Sequence, residues 1–223
     1  MSFLSLLPPS IVFENNAWAV IVKPVGMPTQ PDPGRAFSLL DWAREQWGQA
    51  YVVNRLDRPA GGLVFMAKTS TGAAALNKLL QTDKVSKSYL VLIENGSRLP
   101  ASEASLEDYL LKDGRNNVSR VVASTESGAK LARLNYRVLA QGRTRTLVEV
   151  KLETGRHHQI RAQFANLGCP VAGDRKYGAS SALRQGGIAL WSYQISFPWH
   201  KTEQTFTYWP TGRVWQPFLE QKF

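Results

Sequence analysis

An unbroken apolar run, Trp18-Ala19-Val20-Ile21-Val22, predicts a buried strand that Pro24 and Gly26 bring to an end. Pro28 to Gly34 carries three prolines and reads as an exposed loop. Ser38 followed by Asp41 has the form of a capping box, after which Leu39, Trp42, Ala43 and Trp47 recur at helical spacing until Gly48. Tyr51-Val52-Val53 and Leu63 to Ala67 are strand-like, and the Arg-, Pro- and Gly-rich stretch Asn54 to Gly62 between them suits a functional loop. Thr71 to Leu80 predicts a helix with Leu76, Leu79 and Leu80 on one face, and Lys87 to Ile93 alternates as a strand does. Two further alternating runs, Leu131 to Leu139 and Thr146 to Leu152, flank Gln141-Gly142-Arg143 and predict a hairpin. Ile160, Phe164 and Leu167 place a helix between about His158 and Gly168. Trp191, Tyr193, Ile195 and Phe197 predict another strand, and Thr205 to Tyr208 a last one before the Pro210-Thr211-Gly212 turn. Strands outnumber helices, so the expected class is α+β, with a mostly antiparallel mixed sheet and flanking helices.

Composition narrows the partner. A chain of 223 residues, 43% hydrophobic and 20% charged, can bury a sizeable core, and no repeat or linker divides it, so residues 1–223 are expected to form one domain. A net charge of +10 favours a polyanion, with nucleic acid first among them. The lone Cys169 cannot form an intramolecular disulfide, which points to a reducing compartment and a cytoplasmic location. The apolar stretch Phe3 to Leu7 has no basic residue before it and is not read as a signal peptide, and no apolar run approaches the roughly 20 residues of a membrane helix. The sequons at Asn95 and Asn117 are then chance matches.

The standard fingerprints of dinucleotide, P-loop, zinc and serine-hydrolase chemistry are missing. His157 and His158 are adjacent, so on a helix they diverge by about 100 degrees, and no metal site is expected. Three clusters remain. Arg55-Leu56-Asp57-Arg58 brackets a carboxylate between two guanidinium groups, which favour its ionised form, and Gly61-Gly62 follows at once, as where backbone must pass close to another group. Its plainer reading is a surface ion-pair loop. Gly155 to Arg161 lies where a strand gives way to a helix, so free N–H groups and two arginines make a place for phosphate or carboxylate; the plainer reading is a solvated basic face. In Lys87-Ser88-Tyr89, Lys87, Tyr89 and Val91 share one face of a strand, where a tyrosine is ordinarily part of the core.

Taken together and in order, these segments resemble the RluA-type pseudouridine synthases, from Lys23-Pro24-Val25-Gly26 to about Trp191. Asn54-Arg55-Leu56-Asp57-Arg58 through Gly62-Leu63 is similar to the family's catalytic motif, and Lys87-Ser88-Tyr89-Leu90 to its tyrosine motif. Gly155 to Arg161, with Gly168 and Gly173-Asp174, is similar to its carboxy-terminal motif. The resemblance implies the pseudouridine synthase catalytic fold without a separate N-terminal RNA-binding domain, and an enzyme that isomerises uridine in tRNA or rRNA. It makes Asp57 the nucleophile, Arg161 its partner and Tyr89 the stack for a flipped uracil. Arg55, Arg58, Lys87, Arg156, His157 and Gln159 would contact RNA. Neither cofactor nor metal is implied, no membrane is involved, and a monomer is expected.

The chain departs from the family pattern in having Asn54 for a histidine, Ala60-Gly61 for Thr-Ser and Trp191 for a histidine, which bears most on substrate preference. The alternative is a noncatalytic RNA-binding or ribosome-assembly protein, which would share the charge but has no need of the aspartate motif. A basic hydrolase of phosphorylated small molecules is disfavoured, because neither a metal-binding carboxylate cluster nor a nucleophile with an adjacent base is apparent.

Overall fold

The computed structural model describes residues 8–32, 34, 36–199 and 202–220, so the Phe3 to Leu7 stretch lies outside the described residues. In chain order they form β1 (Ser10–Glu14), β2 (Trp18–Lys23), α1 (Leu39–Trp47), β3 (Tyr51–Val52), β4 (Gly61–Ala67), α2 (Ser70–Leu80), β5 (Ser86–Glu94), β6 (Glu103–Asp113) and β7 (Val118–Val122). The chain continues through β8 (Lys130–Gln141), β9 (Arg145–Leu152), α3 (Gln159–Asn166), β10 (Leu190–Trp199), β11 (Thr202–Thr207) and α4 (Gln216–Leu219). Two compact units result: one comprises Met1–Lys87, Gln185–Gly187 and Trp191–Pro210, the other Ser88–Arg184, Ile188–Leu190 and Thr211–Phe223. No helix among the described residues is long and apolar enough to cross a membrane.

In the first unit β2 lies antiparallel between β1 and β4, β10 joins β4 in parallel at Trp191 and Gly61, and β11 pairs antiparallel with β10. Every residue of β2 and β4 is buried, because both faces of these strands are covered. On one face Ala19, Ile21, Val64 and Met66 meet Leu39 and Ala43 of α1, with Leu56 packed against the same cluster. On the other face Trp18 stacks edge-on against Phe65 and Phe197. Each large apolar side chain so buried contributes roughly 1.5–3 kcal/mol.

The capping box is present: Ser38 Oγ accepts from Asp41 N at 3.2 Å, and Asp41 Oδ2 accepts from Ser38 N at 3.0 Å. Gly48, at φ 75°, closes α1 as its position suggested. Pro28 and Thr29, by contrast, are buried rather than part of an exposed loop. Their carbonyls accept the N–H groups of Leu39 and Leu40 at 2.9 and 3.1 Å, so the start of the proline-rich stretch is docked onto α1.

The second unit is built on antiparallel β5, β9, β8, β6 and β7, in that order. β8 and β9 form the expected hairpin, with Gly142 N donating to Arg145 O at 2.8 Å and a bulge between Val138 and Ala140. α3 packs Ala162 against Leu110 and Ala132 and sets Phe164 edge-on to Tyr136. It begins after His158 in the left-handed conformation, φ 53°, and the chain leaves it through Gly168 at φ 72°. β5 corrects the expected alternation: burial is continuous from Ser88 to Glu94, as in a strand covered on both faces.

Candidate active site

Asp57 is half-buried in the connection from β3 to β4, and that connection is fastened from beneath by Lys23. Alternation along β2 puts Lys23 on the same face as Ala19 and Ile21, at the edge of the α1 core, where it has no exposed surface. Its Nζ donates to Ala60 O at 2.6 Å, Met27 O at 2.8 Å and Pro24 O at 2.9 Å, with Arg58 O farther off at 3.5 Å. An ammonium has three N–H donors, and the three close carbonyls match them. Burial pushes this amine down to about 7, opposed by the nearby Asp57 carboxylate and reinforced by the Arg58 cation.

Thr29 adds a second fastening: its Oγ1 donates to Leu56 O at 2.9 Å and accepts from Leu56 N at 3.2 Å. Gly26 N donates to Arg58 O at 2.8 Å, and Ala60 N closes the turn onto Asp57 O at 3.0 Å. Residues on both sides of Asp57 are thus bonded to the segment that follows β2. The two flanking arginines differ. Arg58 folds back, donating to Gly26 O at 3.0 Å and pairing with Asp32 at 3.1 Å. Arg55 is exposed and has no partner among the described residues.

The departures from the family pattern have structural counterparts. Asn54 supports the loop, since its Oδ1 accepts the Phe65 N–H at 2.7 Å and ties the loop's first residue to β4. At Gly61 a β-carbon would run into the six-membered ring of Trp191 and press on Val25, so the absent side chain makes room for the large residue at position 191. Gly62, at φ 113°, lies against the Ser192 backbone and admits no side chain. The pairing of Gly61 with Trp191 could be found in the sequence only by considering the two departures jointly.

In the second unit the turn into α3 is held chiefly by side chains. Arg161 is buried and donates from Nε and Nη2 to the two oxygens of buried Asp174, at 2.6 and 2.9 Å, and its guanidinium lies 4.8 Å from the Tyr177 ring centre. Tyr177 Oη accepts from Ser119 N at 2.7 Å and meets His158 Nδ1 at 3.0 Å. His157 stacks on His158; its Nε2 donates to Asn117 Oδ1 at 3.1 Å, which leaves Nδ1 to accept the Ser119 hydroxyl at 2.9 Å. Gln159 is buried, with Oε1 accepting from Thr154 Oγ1 and Arg156 N and Nε2 donating to Arg133 O. Arg156 is exposed, braced by a 2.8 Å bond from Nε to Leu131 O.

Tyr89 is buried on β5 opposite Val150, and burial lowers the Lys87 ammonium from its usual range. Within its own unit each cluster is therefore anchored, Asp57 and Arg58 in the first, with Arg55 exposed beside them, and Tyr89, Arg156, His157, Gln159 and Arg161 in the second. Lys23, Thr29, Ser119 and Tyr177 escaped sequence reading, because their roles come from partners up to 58 residues away. Asp174 falls in the Gly173-Asp174 segment, but its pairing with Arg161 had no local signal. Among the described residues no group of three or more His, Cys, Asp or Glu side chains is arranged to hold a metal ion.

Comparison with known proteins places these clusters in a context. Residues 17–166 match the family model described as RNA pseudouridylate synthase. The chain is 34% identical over 212 residues to a ribosomal large subunit pseudouridine synthase D of Nitrosomonas europaea, covering 86% of this chain and 59% of that protein. It is 34% identical over 191 residues to a mitochondrial tRNA pseudouridine(32) synthase of Saccharomyces cerevisiae, covering 82% of this chain and 40% of that one. It therefore spans about two-fifths to three-fifths of these relatives' lengths. Its fold is similar to that of human RNA Pseudouridylate Synthase Domain Containing 1, with a TM-score of 0.77 at 21% identity over 94% of this chain and 86% of the other.

Proposed function

Since the chain belongs to the RNA pseudouridylate synthase family, we propose that it isomerises uridine to pseudouridine in tRNA or rRNA, with Asp57 as nucleophile. In that reaction the bond from uracil N1 to ribose C1′ breaks, the base turns, and C5 joins C1′; C5 gives up its proton and N1 gains one. The atoms balance without a change of oxidation state, so the reading calls for no cofactor. A stacked base must first leave the helix, at a cost of a few kcal/mol, and exposed Arg55 is suited to occupy the vacated stack.

The observation that carries this reading is the fastening of the Asp57 loop on both sides by Lys23, Thr29 and Gly26, because a nucleophilic carboxylate has to be oriented as well as charged. In the proposal Arg161 has the role the family resemblance gives it, that of keeping the Asp57 carboxylate charged and aimed, while Asp174 holds its guanidinium from Nε and Nη2. Tyr89 stacks on the uracil, and Arg58, Lys87 and Arg156 face the phosphates. His157 and Gln159 act by shaping the turn that carries Arg156. We read residues 1–223 as one catalytic module that works as a monomer in the cytoplasm.

The test is to incubate RNA from cells lacking the gene with purified protein and map pseudouridine nucleotide by nucleotide. Gain at a small set of positions is expected and would identify the substrate. No gain in any RNA pool, with the protein folded and RNA-binding, would leave only the noncatalytic alternative.

A further inference from the structure

Two large aromatic side chains of the first unit remain outside although their backbone is firmly held. Tyr208 is 37% exposed and Trp209 48%. They follow β11 directly, and the segment is anchored by Tyr208 N donating to Tyr193 O at 2.8 Å and by Trp191 Nε1 donating to Tyr208 O at 2.9 Å. The Trp209 ring rests on Tyr193 with centres 5.2 Å apart, and Tyr208 lies 6.4 Å from Trp191 at a tilt of 31°. This ensemble reaches the start of β4, where the Asp57 loop ends. Trp191 pairs with Gly61, its ring fills the space that a Gly61 side chain would occupy, and Gly61 is the first residue of β4 after the Asp57 loop. The ensemble therefore depends on the departures at positions 61 and 191.

An aromatic surface fixed in advance and joined through Trp191 to Gly61, where the loop bearing exposed Arg55 and Arg58 ends, on a chain of net charge +10, has the chemistry of a single-stranded nucleic-acid site. Unpaired bases stack on such rings while cations track the phosphates. We propose that Tyr208 and Trp209 form a stacking platform for an unpaired base flanking the target uridine, and that it helps to set which uridine the enzyme accepts. The assignment deepens the reading of the chain as an RNA pseudouridine synthase and rests on it. A second copy of the chain is the competing occupant of the same rings.

The test measures binding of a fluorescein-labelled twelve-nucleotide oligouridine, and of a blunt RNA duplex, to the full chain by anisotropy. Trp209→Ala should weaken oligouridine binding about tenfold. Trp209→Phe should restore it to within about twofold, because the stack is kept. Duplex binding and the slope of affinity against salt should stay as in the wild type, because no phosphate contact is lost. Oligouridine affinity of Trp209→Ala within twofold of wild type would overturn the platform, as would an equal loss on duplex. A wild-type dimer that becomes a monomer on Trp209→Ala, seen by sedimentation, would assign the rings to self-association and overturn it too. If the wild type modifies cellular RNA while Trp209→Ala binds normally, the platform alone fails; if Trp209→Ala loses binding but the wild type modifies nothing, the catalytic reading fails instead.

Discussion

The Asp57 loop is held by main-chain atoms gathered around one buried ammonium and one hydroxyl, whereas Arg161 is held by side chains, a buried carboxylate below it and an aromatic ring beside it. The two arrangements should fail differently. A loop fastened through its own carbonyls can lose its shape while the unit stays folded, because the carbonyls can turn to water. A buried guanidinium that loses the carboxylate held by two of its nitrogens gives up most of what offsets its desolvation, and the whole unit suffers. The comparison suggests that the first unit's fastenings serve mainly orientation, and the second unit's serve stability as well.

The largest expected effect is therefore in the second unit. Asp174→Ala removes the carboxylate that holds a buried guanidinium by two bonds and should cost about 3–5 kcal/mol of unfolding free energy, measured by urea denaturation. A loss under 1 kcal/mol would mean that Arg161 does not depend on Asp174. Lys23→Met should act on turnover instead, lowering kcat at least tenfold, about 1.4 kcal/mol in barrier, with KM for RNA little changed. A rise in KM at constant kcat would contradict an orienting role.

Gly61→Ser sharpens the contrast inside the first unit. Added atoms against Trp191 should cost about 1–3 kcal/mol, and Trp191→His in the same chain should recover most of it. Strictly additive losses in the double variant would show that the two departures are independent.

The remaining effect is in pH dependence. Below pH 7 Lys23 is protonated whether the chain is folded or not, and the folded state bears the full cost of burying the ammonium. Above about 7 the folded chain sheds a proton that the unfolded chain keeps until roughly pH 10, so stability relative to Lys23→Met should rise with pH across that window, by up to about 1.4 kcal/mol per unit. A flat difference would show that the carbonyls and Asp57 keep Lys23 charged throughout.

What could be read in the chain, and what could not, follows the range of the interactions. Ser38, Asp41 and Gly48 bound α1 through neighbours three and four residues apart, so its limits were legible. α3 declared itself through Ile160, Phe164 and the stop at Gly168, and the catalytic loop by its Arg, Pro and Gly content between two apolar strands. β6 and β7 were not anticipated: in β6 the inward positions Ala104, Leu106 and Asp108 are only half-buried and include a charge, and β7 shows no regular alternation. Lys23 shows the limit most plainly. In sequence it is a charged residue at the end of a strand, and its burial is meaningful only once Ala60, 37 positions later, turns a carbonyl toward it.

The most direct measurement is release of tritium from RNA carrying 5-tritiated uridine, because joining C5 to the ribose expels the hydrogen on that carbon. Wild-type protein should release it progressively, and Asp57→Asn should release none above background while binding the same RNA within a few-fold of wild type. Wild-type rates of release from the asparagine variant would contradict the assignment of Asp57 and the account built on it.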